Sequence, residues 1–330
     1  MGGILLILDG MTDRDFHPAS LPAFHRLGAE HARGAFCTVG GERRPESLGC
    51  ILALCGVPEK KIAHFSRGWI EALGCGVPFA PDDLLLRTTC VAVGPDGRIG
   101  EAVSPPRIDD PRYHQIGDYQ GLLVLPGDAA RLHRIGTHAP YENPGARLSE
   151  LAPSGCDALL EFFSAHTGPD RALIPWGQSA AGTPIPLLRG CACVCATPVV
   201  RGIARALGAD CITPDGATGD VDTDLIAKRE AALAAAQSRP LTVLHLNGAD
   251  EASHRGNAAQ KADFLRRADT FVVEPLAQAG IPLLVCADHG AEPADGSHSG
   301  GLQPFVLANT ARRSALGTFE AQQAASLLKE

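Results

Sequence analysis

The sequence predicts an α/β protein built on a central, mostly parallel sheet flanked by helices. Near-continuous aliphatic runs cover residues 3–8, 241–246 and 283–287, and such runs are typical of strands buried on both faces of a sheet. Helix-forming stretches, such as residues 225–236 and 257–278, alternate with these runs. Because open α/β sheets bind ligands at the carboxyl ends of their strands, we expect a functional site at that edge.

The composition indicates a folded protein with one large domain, or a core that carries an inserted domain. Of the 330 residues, 45% are hydrophobic and 20% are charged, which argues against disorder. The net charge of −8, without a basic cluster, predicts that nucleic acids are not partners. An acidic protein can still bind a phosphorylated substrate where a metal ion supplies local positive charge.

The N-terminal sequence predicts a cytoplasmic protein. The apolar run in MGGILLILDGMTD is too short for a signal peptide and has no basic region before it. No apolar run is long enough to span a bilayer, so we expect no membrane association. The 11 cysteines are scattered along the chain, which favours reduced, mostly buried thiols over a disulfide framework. The oligomeric state stays open.

Asp9 ends the first predicted strand, Gly3 to Leu8, and therefore lies at the carboxyl edge of the sheet. A turn residue or a helix cap is the alternative interpretation of this aspartate. A helix is predicted next, over Leu21 to Ala29, packing on the sheet.

Charged and imidazole side chains also follow the two later predicted strands. Asp250 and His254 are four residues apart, so one helical turn would place both on the same side. Asp288 and His289 end the last of these strands, and His298 follows across a loop that contains glycine and serine. A solvated loop with stray histidines is the alternative. Carboxylates and imidazoles are also the ligands that divalent metals take.

Ser47 lies at a predicted helix start, after Pro45 and Glu46 and before the apolar run Ile51 to Leu54. A plain N-cap is the alternative interpretation. As a nucleophile, its alkoxide or an attached phosphate would be stabilised by the helix N-terminus. A serine hydroxyl needs an activating base or metal, and the Gly-x-Ser-x-Gly pattern is absent around Ser47, which favours a metal.

The composition and the spacing of predicted elements change between residues 77 and 170. Prolines are frequent there, and strand-like pieces lack a regular βαβ spacing. We interpret this stretch as an inserted α+β cap or substrate domain. The remainder, residues 1–76 and 171–330, is then a metal-binding catalytic core.

The carboxyl edge of the predicted sheet thus collects enough ligands for two metal ions, together with a hydroxyl. A two-metal site can lower the pKa of a hydroxyl and stabilise both oxygens of an in-line phosphoryl displacement. The candidate residues are Asp9, Ser47, Asp250, His254, Asp288, His289 and His298.

Several motifs of the chain resemble those of the archaeal-type cofactor-independent (2,3-bisphosphoglycerate-independent) phosphoglycerate mutases of the alkaline phosphatase superfamily. They occur in consistent order at both ends of the chain, and most of the inserted region matches weakly. The matching stretches are ILLILDGMTD, SRGWIEALGCGV, IPWGQ, PVVRGIARALGAD, PDGATGDVDTDLIAK, LHLNGADEASHRGN, CADHG and HSGGLQP.

The resemblance implies an alkaline-phosphatase-like core and assigns roles to the candidate residues. One metal ion would be held by Asp250, His254 and His298. The other would be held by Asp9, Asp288 and His289, with Ser47 beside it as the nucleophile that becomes phosphoserine. Manganese is the implied ion, with zinc, cobalt or magnesium as alternatives.

The implied reaction is the interconversion of 3-phosphoglycerate and 2-phosphoglycerate through phosphoserine, with the inserted domain holding glycerate while it reorients. Arg67 and Arg201 are the candidates for binding phosphate or carboxylate, because arginine presents a fork to either anion. Lys228 is a further candidate. Surface salt bridges are the alternative interpretation of all three.

The chain departs from the family motifs at Leu48, where the family has aspartate, and in the inserted region around Ala139-Pro140-Tyr141. A mutase must exclude water while its intermediate persists. A phosphohydrolase, or a mutase of another small phosphorylated or phosphonylated acid, is therefore the alternative function. A catalytically inert binding protein would be expected to lack some of the ligands or the nucleophile, and every one of these positions is filled.

Overall fold

The computed structural model describes residues 2–12, 15, 19–39 and 43–328. The chain divides into two compact units. Unit 1 combines Met1–Ala63 with Pro184–Glu330, and unit 2 is His64–Thr183. Unit 2 therefore extends beyond the expected insertion, residues 77–170, at both ends.

The helices of the described residues lie in both units. They are α1 (Pro22–Glu30), α2 (Ser47–Leu54), α3 (Glu59–Ile62), α4 (Arg67–Cys75), α5 (Asp157–Ala165), α6 (Pro198–Ala206), α7 (Leu225–Ala236), α8 (Gly248–His254), α9 (Ala258–Ala268), α10 (Glu274–Gln278) and α11 (Ala324–Leu327).

The strands of the described residues form one large sheet, one smaller sheet and a short hairpin. They are β1 (Gly3–Leu8), β2 (Ala32–Cys37), β3 (Leu84–Val93), β4 (Ile99–Ala102), β5 (Tyr113–Gln115), β6 (Gln120–Leu125), β7 (Arg171–Ser179), β8 (Ala192–Val194), β9 (Asp210–Ile212), β10 (Leu241–Leu246), β11 (Leu283–Cys286), β12 (Gly290–Ala291), β13 (His298–Ser299), β14 (Leu302–Ala308) and β15 (Ser314–Glu320).

Unit 1 is built on a mostly parallel sheet with the strand order β15-β2-β14-β11-β1-β10-β8-β9. Strand β1 pairs in parallel with both β10 and β11, and only β14 among these strands runs antiparallel to its neighbours. The predicted strands at 3–8, 241–246 and 283–287 thus form the centre of this sheet. Their aliphatic side chains pack under helices α1, α7 and α9, through residues such as Phe24 and Phe264.

The predicted long helix over residues 257–278 is confirmed as a continuous helical run with a π-helical bulge in its middle. Helix α9 ends at Ala268, and a π-helical segment, Asp269–Val273, connects it to α10. Pro275 lacks the N–H that would bond to the Phe271 carbonyl one turn earlier, and that carbonyl accepts a hydrogen bond from Arg229 Nη1 over 3.0 Å instead. The Asp269 carboxylate accepts hydrogen bonds from the backbone N–H groups of Ala23 and Phe24, so it caps the start of α1.

Among the described residues, no helix combines the length and the apolar character that crossing a bilayer requires.

Unit 2 contains an antiparallel sheet in which β3 pairs with β4, β6 and β7. Helix α5 covers one face through Leu159 and Phe162. Strand β7, predicted to resume the core at residue 171, instead pairs with β3 along most of its length. Helix α4, placed in the core by the predicted boundary, packs on the same two strands. Both differences arise because the pairing of β7 with β3 spans about eighty residues, which local patterns do not reveal.

A buried ion-pair cluster fixes α4 to the sheet of unit 2. The Glu71 side chain is 1% exposed and forms a salt bridge with Arg87, which is 5% exposed. Glu71 Oε1 also accepts a hydrogen bond from Arg67 Nε over 2.8 Å. Burial by itself would raise the pKa of Glu71, but the positive charges of Arg87 and Arg67 outweigh it and hold the pKa below its usual value.

The replacement Glu71→Gln is expected to lower the free energy of unfolding of unit 2 by about 3–5 kcal/mol, because it leaves the Arg87 charge buried without a partner. The folded-state pKa is depressed, so the stabilisation by ionised Glu71 is fully present above the unfolded-state pKa, near 4.5. It is lost as the pH falls through the lower folded-state value. Urea unfolding followed by tryptophan fluorescence measures this effect, since both tryptophans, Trp69 and Trp176, lie in unit 2.

Asp170→Asn is the matched control, because Asp170 forms an exposed salt bridge with Arg171 in the same unit. Its unfolding curve should overlay that of the unmodified protein. Equal curves for Glu71→Gln and the unmodified protein would show that the cluster contributes nothing to stability.

Candidate metal centre

The candidate ligands meet because three parallel strands end side by side. Strand β1 lies between β10 and β11 in the sheet, so the residues that follow all three strands share one edge. Asp9 follows β1, and Asp288 and His289 follow β11. Asp250 and His254 lie on α8, which begins just after β10.

The close approach of these segments depends on Gly10. Its φ of 76° is in the left-handed region, and a Cβ atom there would lie 2.7 Å from the Cα atom of Asp250. Any other residue would therefore push α8 away from the end of β1. The loop is further held by the backbone N–H of Ala291, which donates to the Gly10 carbonyl over 3.1 Å.

His298 returns to the site through the hairpin formed by β12 and β13. The hairpin begins directly after His289, and within it Ala291 pairs with His298. The eight residues between His289 and His298 therefore form a tight loop that brings the second imidazole back to the sheet edge.

Asp250, His254 and His298 form the first ligand group. Asp250 Oδ2 lies 3.3 Å from His254 Nε2, and Asp250 Oδ1 lies 3.3 Å from His298 Nε2. The Nε2 atoms of His254 and His298 are 3.1 Å apart. The predicted placement of Asp250 and His254 on one side of a helical turn is confirmed by α8.

Asp9, Asp288 and His289 form the second group, and all three side chains are fully buried. His289 Nε2 lies 3.5 Å from Asp9 Oδ1 and 3.5 Å from Asp288 Oδ2. The two groups adjoin, because the rings of His289 and His298 stack with their centroids 4.1 Å apart.

Ser47 lies beside the second group as the first residue of α2, which confirms the predicted helix start. Its Oγ atom is 3.1 Å from His289 Nε2. The hydroxyl is thus at the positive end of a helix and next to a candidate metal ligand, which is where an anionic oxygen would be stabilised.

Backbone carbonyls orient two of the imidazole rings. His289 Nδ1 lies 3.2 Å from the Gly290 oxygen, and His298 Nδ1 lies 3.0 Å from the Pro45 oxygen. A carbonyl can only accept, so each Nδ1 carries the proton and each Nε2 presents its lone pair to the ligand group. This is the arrangement that metal-binding histidines adopt.

The unpaired oxygens of the site fit divalent cations. Within the described part of the chain, Asp9 Oδ1, Asp250 Oδ1 and both carboxylate oxygens of Asp288 are buried without a hydrogen-bond partner. Burial, followed by the negative charges of Asp288 and Asp250, raises the pKa of Asp9 well above its usual value. A bound cation would satisfy these oxygens and offset the repulsion between the carboxylates.

His245 is a residue of the site that sequence analysis did not identify. It lies in β10, is fully buried, and its Nε2 is 2.8 Å from Asp9 Oδ2. Burial and the charge of Lys228 lower the pKa of His245 to about 3, so the ring is neutral. A histidine near the end of the mostly aliphatic segment LTVLHL is the signal that could have identified it.

The three candidate anion-binding residues lie in different surroundings. Arg201, on α6 in unit 1, has a buried Nε without a partner among the described residues. Lys228 is 1% exposed, and its Nζ donates to the Thr218 and His245 carbonyls. Burial lowers the pKa of Lys228 to about 8. Arg67, in unit 2, begins α4 and pairs with Glu71.

Comparison with known proteins identifies a domain of unit 1. Residues 188–328 match the family model described as the Metalloenzyme superfamily. This stretch contains five of the six candidate metal ligands. Asp9, the sixth, lies outside it and contacts His245 inside it.

Curated relatives match nearly the whole chain. The 2,3-bisphosphoglycerate-independent phosphoglycerate mutase of Thermococcus kodakarensis is 26% identical over 93% of this chain and 88% of its own length. A second protein of that name, mutase 1 of Archaeoglobus fulgidus, is 26% identical over 96% of this chain and 91% of its own. The resemblance predicted from the motifs is thereby confirmed.

Two solved structures share the fold. A Pyrococcus horikoshii protein superposes with a TM-score of 0.72 at 19% identity, over 99% of this chain and 96% of its own. The cofactor-independent phosphoglycerate mutase of Thermoplasma acidophilum superposes with a TM-score of 0.56 at 19% identity, over 100% of this chain and 99% of its own. The predicted fold class, with its central, mostly parallel sheet, is confirmed.

Asp288→Asn is expected to weaken binding of one of two Mn²⁺ ions by about 100-fold or more, because a full charge next to the ion is worth several kcal/mol even at an effective dielectric constant near 20. The same change should raise the thermal midpoint of metal-free protein, since one buried and unpaired carboxylate is removed. Calorimetric titration of chelator-treated protein and thermal unfolding measure the two effects.

Asp295→Asn provides the control, because Asp295 lies exposed in the same loop and accepts a hydrogen bond from the Ser297 N–H. It should bind both ions with unchanged affinity. Unchanged stoichiometry and affinity in Asp288→Asn would remove Asp288 from the metal centre.

Proposed function

We propose that this chain, similar over more than nine-tenths of its length to archaeal cofactor-independent phosphoglycerate mutases, is a metal-dependent phosphomutase that interconverts 3-phosphoglycerate and 2-phosphoglycerate. The phosphoryl group passes through phosphoserine at Ser47. The observation that carries the proposal is the position of Ser47 Oγ, 3.1 Å from His289 Nε2 and beside two adjoining groups of candidate metal ligands.

The proposed cofactors are two divalent ions, with Mn²⁺ as the native metal and Zn²⁺, Co²⁺ or Mg²⁺ as possible replacements. Asp250, His254 and His298 would hold one, and Asp9, Asp288 and His289 would hold the other. When bound, such ions lower the pKa of a hydroxyl and neutralise charge on a transferring phosphoryl group. The mixed oxygen and nitrogen ligands suit Mn²⁺ and Zn²⁺ alike.

The protein contributes position and electrostatics to this chemistry. Ser47 begins α2, so its oxygen lies at the N-terminal end of a helix, where the backbone N–H groups favour an alkoxide or an attached phosphate. The helix is apolar beyond its first residue and is buried from Leu48 to Leu54. This packing fixes the direction of the hydroxyl, so little reorganisation is needed at the moment of transfer.

Arg201 is proposed to bind the phosphate or the carboxylate of the substrate, since its guanidinium Nε is buried and unpaired among the described residues. Lys228 is proposed to add positive charge beneath the strand end, through its contact with the His245 carbonyl. Arg67 of unit 2 is the third proposed anion-binding residue. We further propose that the enzyme works in the cytoplasm, where phosphorylated acids of this kind are its substrates.

Ser47→Ala is expected to lower turnover by more than about 10³-fold, as removal of a nucleophile does, while Mn²⁺ binding persists. The test is phosphorus NMR of Mn²⁺-loaded protein with 3-phosphoglycerate, in which the unmodified protein should produce the 2-phosphoglycerate signal. Ser238→Ala, which changes an exposed serine, is the control and should behave as the unmodified protein.

Three other outcomes of this experiment would decide against parts of the proposal. Full activity of Ser47→Ala would remove Ser47 from the mechanism. Release of inorganic phosphate without the 2-phosphoglycerate signal would identify a phosphohydrolase. No reaction by Mn²⁺-loaded protein would exclude phosphoglycerate as the substrate.

Arg201→Lys is expected to raise KM for 3-phosphoglycerate by about 10- to 100-fold with a smaller change in kcat. A lysine keeps the charge but loses the forked donors, and a hydrogen bond to a charged group contributes about 1.5–3 kcal/mol. Steady-state kinetics measure this. Arg205→Lys, at an exposed position one turn further along α6, should leave both constants unchanged, and equal constants for Arg201→Lys would rule out substrate contact.

A further inference from the structure

His245 is the only ionisable side chain in the buried strand β10, whose sequence is LTVLHL. Every residue of this strand is buried. A polar ring in such a place is costly unless its hydrogen-bonding groups find partners. Its one side-chain partner in the described structure is a candidate metal ligand, which suggests a role beyond packing.

The contact joins two rigid elements. Strands β1 and β10 are parallel, and their register places His245 opposite Ile7, two residues before Asp9. The backbone N–H of Asp9 donates to the Leu246 carbonyl over 3.0 Å, so the main chain is fixed at the same point. The 2.8 Å separation of His245 Nε2 and Asp9 Oδ2 is therefore set by the sheet and not by a mobile loop.

This hydrogen bond gives the two carboxylate oxygens of Asp9 different surroundings. Oδ2 accepts a hydrogen bond from His245 Nε2. Oδ1 has no hydrogen-bond partner in the described structure and lies 3.5 Å from His289 Nε2. A hydrogen bond to one oxygen opposes rotation of the carboxylate and leaves the other oxygen available to a cation. Oδ1 would then be the carboxylate oxygen available to a cation.

The tautomer of His245 and the position of its backbone follow from the surrounding contacts. His245 Nδ1 has no partner in the described structure, so the proton belongs on Nε2, since an unpaired acceptor costs less than a buried unpaired N–H. Lys228 Nζ donates to the His245 carbonyl over 3.4 Å and to the Thr218 carbonyl over 2.9 Å. The histidine is thus anchored through its main chain and directs its N–H at Asp9.

We propose that His245 is a positioning residue of the metal centre. By donating to Oδ2, it holds Asp9 so that Oδ1 faces the ion shared with Asp288 and His289. Outer partners of metal ligands typically change metal affinity or activity by about 10- to 100-fold when they are removed. The inference rests on the metal centre of the proposed function but not on the identity of the substrate.

The test compares two replacements of the histidine in the full-length, chelator-treated protein. His245→Met fills a similar volume without a donor, and His245→Gln can keep an N–H directed at Asp9. Titration with Mn²⁺ in the calorimeter should show one of the two sites weakened by about 10- to 100-fold in His245→Met. His245→Gln should recover most of that loss. The other site should be unchanged in both variants.

Thr242→Val is the matched control in the same strand. The Thr242 hydroxyl is fully buried without a partner among the described residues, so Thr242→Val changes a buried polar group of β10 without removing a contact to Asp9. It should bind both ions as the unmodified protein does. Thermal unfolding of the metal-free variants verifies that all of them are folded before titration.

A double-mutant cycle separates positioning from general damage. If His245 acts through Asp9, His245→Met should cost little further affinity once Asp9→Asn has weakened that site. The proposal is overturned if His245→Met binds both ions normally, if His245→Gln is as impaired as His245→Met, or if the two losses add in full. Because Mn²⁺ is the only probe, failure of the protein to isomerise 3-phosphoglycerate would refute the proposed function without altering this result.

Discussion

The burial of carboxylates at the carboxyl edge of one sheet is the constraint on which the rest of the structure depends. Asp9 and Asp288 are completely buried, and Asp250 lies close enough to raise the pKa of Asp9 further. Like charges at such a distance, removed from water, oppose folding unless a cation or a proton joins them. Imidazoles surround the carboxylates, so the site presents two groups of candidate metal ligands.

The packing of unit 1 holds these buried carboxylates together at the edge of the sheet. Three apolar strands bring their ends together, and Gly10 allows the loop after β1 to touch the first turns of α8. Behind the ligands, His245 contacts Asp9, and Lys228 contacts the carbonyl of His245. Lys261 Nζ, also buried, donates to the Ala291 carbonyl at the hairpin that carries His298. These contacts and the packed core behind them hold the candidate metal ligands in place.

Unit 2 also buries charged side chains, but these charges pair with one another. Its ion-pair cluster is buried, but each charge of Glu71 and Arg87 has a partner, and Arg67 adds a second cation at the margin. The guanidinium groups of both arginines also lie 5.6 Å from the ring centre of Trp176. Here the charges stabilise a fold among themselves, whereas in unit 1 the unpaired oxygens leave room for ligands from outside the chain.

Local patterns in the sequence were sufficient for the central strands, for the helix that begins at Ser47, and for the polar residues that follow each strand. These features depend on periodicity and on neighbours within one helical turn, which are properties of short segments. Local patterns placed β7 with the core, because strand pairing across about eighty residues is not a property of a short segment. They also passed over His245, whose importance arises only when β10 lies beside β1. The sequence by itself determined which chemical groups are available and at which edge they would collect. Only the tertiary structure decided which oxygen of Asp9 contacts His245 and which remains available to an ion. The reason is that the register of the parallel strands β1 and β10 sets the position of His245 relative to Asp9.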